Sequence, residues 1–142
     1  MRKIILSALM SLALFCFGVD TLAANVPYNF TLHNTDTAYN VYGDQGNIKV
    51  YANDSSTVKT TDNNVPGYGT AFCMKHKYGD SYITDTVTSP GQWISGCGTI
   101  HPPYLYNHNV TNRTYYVAAR IDNDYSGTYY VAGSFNSDYT NP

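Results

Sequence analysis

The chain has 142 residues and a formal net charge of −2, with 15 Tyr, 5 Phe and a single Trp against eight Lys and Arg. That length supports one domain, and so mild a charge, with no basic stripe for phosphates, speaks against a nucleic-acid partner. The chain contains no Glu, and after residue 24 its only leucines are Leu32 and Leu105. This excludes a mainly helical protein, because long unbranched side chains fill helices, whereas Tyr, Thr, Val and Ile suit a pleated surface.

Residues Met1 to Ala24 read as an export leader. Arg2 and Lys3 open it, Ile4 to Val19 is almost wholly apolar, and Thr21-Leu22-Ala23-Ala24 supplies small residues for cleavage. The apolar run is shorter than a bilayer span usually requires, although an uncleaved anchor is the alternative. Phe15 before Cys16 argues against lipidation. Cleavage after Ala23 or Ala24 is expected to release a single domain of residues 25–142, and the leader is of bacterial type. The released part keeps six basic residues and nine Asp, a net charge of −3. Its basic residues are scattered in sequence, so an anionic membrane has little to hold once the leader is gone.

The predicted elements are all strands. Tyr28 to Leu32 forms the first. Tyr39 to Tyr42 and Ile48 to Tyr51 flank a Gly- and Asn-containing loop and read as a hairpin. Residues 54–69 are polar, with Pro66-Gly67, and read as a loop with a short strand near Val58. Thr70 to His76 and Ser81 to Val87 form a second hairpin about residues 77–80. Ser89-Pro90-Gly91 and Pro102-Pro103 break the chain before Trp93 and Tyr104. Thr114 to Ile121 and Thr128 to Phe135 form a last hairpin around Asp122-Asn123-Asp124-Tyr125-Ser126-Gly127. In it Tyr115, Val117, Ala119 and Ile121 share the core face. Evenly spaced strands with turn signals give an all-β domain, a small antiparallel β-sandwich or open barrel.

Cys73 and Cys97 remain after the leader is removed, and in an exported protein the simplest expectation is a disulfide between them. Closing a loop of that length is worth about 3 kcal/mol through the unfolded chain. Two free thiols or a metal pair are the rival readings, and the lack of CxxC spacing makes a poor metal site. Asp122, Asp124 and Ser126 match the opening of a calcium loop, since alternate oxygens converge on a hard cation. The closing position of such a loop falls on Gly133, and the same residue types simply make turns. His33, His76, His101 and His108 have no tight ligand spacing and read as loop histidines. No G-x-S-x-G elbow is present, and no carboxylate pair for sugar hydrolysis is apparent. No cofactor is called for.

The aromatic content exceeds what a small core can hide, so some rings stand at the surface, as binding faces use them. Trp93, Tyr104 and Tyr106 are the candidate contact residues; cross-strand Tyr pairing is the structural alternative. Sequons at Asn29, Asn53, Asn109 and Asn112 matter only in a eukaryotic secretory route.

Three features together resemble the small secreted bacterial proteins of domain-of-unknown-function family 2712. They are the leader followed by Tyr28-Asn29-Phe30-Thr31-Leu32, the Tyr- and Asn-rich middle, and an ending of Tyr115-Tyr116-Val117-Ala118-Ala119-Arg120, a polar loop and Thr128-Tyr129-Tyr130-Val131-Ala132-Gly133-Ser134-Phe135. Gly133-Ser134-Phe135 stands where the family closes in an aromatic pair ending in Trp. The resemblance implies export but carries no catalytic residues. The functional expectation is a secreted, non-enzymatic domain binding an unknown protein or cell-envelope ligand, in bacteriocin-like fashion or otherwise. The alternatives are a carbohydrate-binding module and a small hydrolase using His and Asp.

Overall fold

The structure, a computed structural model, describes residues 24–52, 55–78, 81–82, 88, 92–105 and 107–139. The described residues form ten strands: β1 (Val26–His33), β2 (Val41–Tyr42), β3 (Asn47–Ile48), β4 (Thr57–Asn63), β5 (Thr70–Tyr78), β6 (Ser81–Tyr82), β7 (Gln92–Ile94), β8 (Gly98–Ile100), β9 (Thr114–Ile121) and β10 (Thr128–Asn136). A first sheet has the order β1-β10-β4-β8. In the second, β9 carries β2 and β3 on one side and β5 on the other, and β5 carries β6 and β7. Every pairing is antiparallel, and the two sheets pack as a β-sandwich.

Alternation explains the interior. On β1, Tyr28, Phe30 and Leu32 point inward while Asn29, Thr31 and His33 are exposed. They meet Val58, Phe72, Met74, Val117, Ile121, Val131 and Phe135 in one apolar cluster. The core face expected of β9 is observed: Tyr115, Val117, Ala119 and Ile121 are all fully buried in that cluster.

The pairings differ from the sequence expectation in three places. β9 and β10 are not a hairpin. β10 pairs with β1 and β4, so residues 122–127 arch from one sheet to the other. β2 and β3 do not pair with each other either. Both lie along β9, through Val41↔Ala119 and Tyr42↔Ala118, then Asn47↔Tyr115 and Ile48↔Thr114. The hydrogen bonds Gly43 N→Val117 O (2.9 Å) and Lys49 N→Arg113 O (3.0 Å) extend that interrupted edge. The short strand expected near Val58 is the seven-residue β4, longer than expected and taking an inner place in the first sheet. The β5–β6 hairpin forms with Lys77↔Tyr82 and Tyr78↔Ser81; the rest of its expected second arm, residues 83–87, lies outside the described residues.

The register between β10 and β4 shifts at Ala132/Gly133. A Cβ at Gly133 would collide with the Lys59 carbonyl, so the close approach of backbones requires glycine there. The outer edge of β1 is blunted. The bond Asn34 N→Gly127 O (3.1 Å) continues the β1–β10 ladder, so the backbone of odd-numbered β1 residues faces outward. Of these, Pro27 has no N–H, and the His33 N–H is held by Asp36 Oδ2 at 2.6 Å. Only Asn29 and Thr31 are left as outward donors, too few to template a further strand.

Candidate functional site

The outer face of the second sheet is built from small residues overlaid by large ones. Because Phe72 and Met74 enter the core, Ala71, Cys73 and Lys75 point outward from β5. Register places Arg120 beside Ala71, Ala118 beside Cys73, and Tyr116 beside Lys75. Trp93 pairs with Ala71 from β7, and Tyr42 with Ala118 from β2. Ala71, Cys73 and Ala118 are completely buried, with Tyr39, Tyr42 and Trp93 packed over them.

Two cations lie on these rings. The Arg120 guanidinium is 4.7 Å from the Trp93 ring centre and 5.3 Å from that of Tyr39. Lys75 Nζ stands 5.1 Å from the Tyr42 ring centre. Such contacts are worth about 0.5–1 kcal/mol in exposed sites and more where water is excluded. Arg120 Nη1 also donates to the Thr37 carbonyl at 3.3 Å, which ties the β1–β2 connection across the face. Its Nε is buried with no hydrogen-bond partner. Trp93, Arg120, Tyr42 and Tyr116 remain half-buried, and their outer sides form the accessible surface.

A second constellation lies where β3 runs toward the end of the chain. Lys49 and Asp138 are 0% and 2% exposed, with Nζ 3.3 Å from Oδ1. Lys49 Nζ donates to the Ser137 carbonyl at 2.9 Å and lies 4.3 Å from the Tyr104 ring centre. Asp138 accepts backbone N–H bonds from Val50 at Oδ2 (2.9 Å) and Tyr51 at Oδ1 (3.0 Å). The Tyr104 hydroxyl donates to Ser137 O at 2.8 Å, and its ring meets Tyr115 edge-on at 5.0 Å between centres. Burial drives the Tyr104 phenol well above its usual range, helped by nearby Tyr115 and Asp138.

The residues singled out from sequence are distributed differently. Cys73 and Cys97 are not bonded. Cys73 is buried on the outer face of β5, whereas Cys97 is exposed on the β7–β8 turn beside Gly96 (φ +62°). The two thiols are free, one buried and one exposed, and the disulfide expectation is corrected. Burial pushes the Cys73 thiol up to about 12, against the opposing pull of Lys75 and Arg120.

Trp93 and Tyr104 do not share a surface: Trp93 covers the outer cluster, while Tyr104 packs against the interior. Tyr106 lies outside the described residues. The Asp122–Gly127 segment makes local contacts. Asp122 Oδ1 accepts from Asp124 N at 3.4 Å, Tyr125 turns into the core, and Ser126 O accepts from the Tyr129 hydroxyl at 2.9 Å. Asp122, Asp124 and Ser126 thus form a turn. Among the described residues no three His, Cys, Asp or Glu side chains gather where a metal ion would fit. The histidines are dispersed as well. His33 Nδ1 is 3.1 Å from Thr128 Oγ1, and His101 packs on Tyr139 with ring centres 4.4 Å apart. His76 lies near His108 and Arg113, and its Nδ1 has no partner.

Sequence reasoning missed both Arg120 and the Lys49–Asp138 pair. Arg120 was detectable as the one charged position in an otherwise apolar and aromatic strand. Nothing local marks Lys49, since its partner is far along the chain. Neither protein-family models, nor curated proteins, nor solved structures yield a match to the chain.

Proposed function

We propose that this protein is a secreted, non-enzymatic binding domain that holds a cell-envelope or protein ligand on the outer face of its second sheet. The observation that carries this reading is the clasp of Arg120 between Trp93 and Tyr39 above a floor of Ala71, Cys73 and Ala118. Rings fixed in this way present rigid amphipathic area at little entropic cost, as binding surfaces require. The leader and the resemblance to family 2712 support export, and a bacteriocin-like role is the same physics with a competitor's surface as ligand. A flat indole beside a guanidinium also suits the face of a sugar ring, which supports carbohydrate binding as the second reading.

The test is retention of the purified protein on bacterial envelope fractions and on a glycan array, with Trp93→Ala and Arg120→Ala as variants. Loss of at least tenfold in both variants is expected, each variant still unfolding as a cooperative β domain with a modestly lowered midpoint. Equal retention by wild type and variants overturns the assignment of this face. Hydrolysis of any screened substrate that disappears in His101→Ala overturns the non-enzymatic reading.

A further inference from the structure

A lysine ammonium with no exposed surface is a costly element for a small domain. A buried ion pair seldom repays the desolvation of both charges unless further hydrogen bonds satisfy it. Around Lys49 and Asp138 the arrangement does more than neutralise charge. It presses an amine against a carboxyl group, excludes water from both, and places an N–H donor on each carboxyl oxygen. The two residues come from opposite layers, Lys49 from the run following β3 in the second sheet and Asp138 from the run following β10 in the first.

We propose that Lys49 and Asp138 condense into an intramolecular isopeptide bond that staples the two sheets together. Nζ bonds to Cγ, and the Cγ–Oδ1 bond breaks. Two protons of the ammonium leave with Oδ1 as water, and the third stays on the amide nitrogen. No oxidant, reductant or co-reactant is consumed, because the charged pair and the amide plus water have the same atoms and electrons. Each contact has a role in this step. The Ser137 carbonyl, 2.9 Å from Nζ, fixes the amine. The Val50 N–H, 2.9 Å from Oδ2, holds the charge that develops on the retained oxygen, as an oxyanion-hole donor does. The Tyr51 N–H, 3.0 Å from Oδ1, supports the departing oxygen.

Two physical arguments favour condensation over a lasting ion pair. Held reactants gain an effective concentration of roughly 10⁵ M or more over free ones. The water released leaves a site in which neither side chain has appreciable exposure, so mass action by solvent does not readily return it. The Tyr104 ring over the amine opposes the step by favouring the ammonium, but the neutral amide removes two buried charges at once.

Intact mass spectrometry with peptide mapping of the purified wild-type protein decides the matter. The expected result is a mass one water below that of the sequence, together with a branched peptide joining the segments that contain Lys49 and Asp138. A wild-type mass with no missing water overturns the proposal, and so does a missing water that maps elsewhere, such as a succinimide at an Asp. Lys49→Arg and Asp138→Ala are each expected to restore the full mass. This readout needs no folded variant, since the mass of the wild type is itself decisive.

Discussion

The two sheets treat their outer faces differently. On the first, the outward residues of β1 are Asn29, Thr31 and His33, all exposed, and β4 turns Lys59 and Thr61 to solvent. On the second, β5 is buried on both sides: Ala71, Phe72, Cys73, Met74 and Lys75 all lie below the surface. The first sheet is one-sided, as antiparallel sheets commonly are, and the second carries an additional layer of rings and cations. What distinguishes them is side-chain size. Small residues at the centre of the second sheet leave room that Trp93, Tyr39, Tyr42 and Arg120 occupy. This small-residue floor is what turns one face of an otherwise ordinary sandwich into a candidate binding surface.

The sharpest way to break this comparison is thiol labelling. Cys97 stands on an exposed turn and is expected to react at once in native protein. Cys73, buried with its thiol pushed up to about 12, is expected to react only after unfolding, orders of magnitude more slowly. Mass spectrometry of labelled peptides checks this, and a native Cys73–Cys97 bridge would appear as two unreactive sulfurs. A pair of like substitutions comes next. Ala118→Leu, on the crowded face, is expected to cost about 1–3 kcal/mol by overpacking, while Ala132→Leu on the outer side of β10 changes stability by no more than about 0.5 kcal/mol. Urea unfolding of the two variants reads the difference, and equal losses would remove the distinction between the faces.

The interior shared by both sheets gives a smaller effect. The Tyr28 hydroxyl is 2.9 Å from Thr60 Oγ1 in a buried contact. Tyr28→Phe is expected to cost about 0.5–1.5 kcal/mol in the same assay. The smallest expected effect is a pH dependence. Burial, then Arg113 and His108, lower the His76 imidazole below its usual value. Its unfolded form therefore binds a proton more readily than the folded one, so the stability it supports is full above pH about 6.5 and is lost as pH falls through the depressed value. His76→Gln is expected to flatten the decline in thermal midpoint between neutral and mildly acidic pH, and an unchanged slope would reject this origin.

Much of the fold was legible locally. The run Tyr28 to Leu32 was legible as a strand, and period-two alternation identified the core face of β9, which has one dry and one wetter side. Partner choice was not legible. The residues 122–127 have the composition of a hairpin loop, yet an arch between sheets needs the same turn chemistry. The run Ile48-Lys49-Val50-Tyr51 was misleading in a different way. Its apolar members Ile48 and Val50 are 56% and 39% exposed, while Lys49 faces inward. A one-residue change of register exchanges the faces, and here the choice is set by Asp138, which no local pattern reveals. The candidate face was half legible: Trp93 is on it, but Tyr104 is interior, and the cations that complete it come together only through strand register.

The crossing from β9 to β10 has a consequence for how the chain attains its structure. Neither β9 nor β10 finds a partner in the other, and β1 waits for β10, the last of the described strands, before its own backbone is paired. Assembly governed by such distant encounters is slow, since the chain must close large loops before any pairing is rewarded. Until β10 is made, β1 lacks its partner and β4 lacks one of its two neighbours, whereas every strand of the second sheet already has its own.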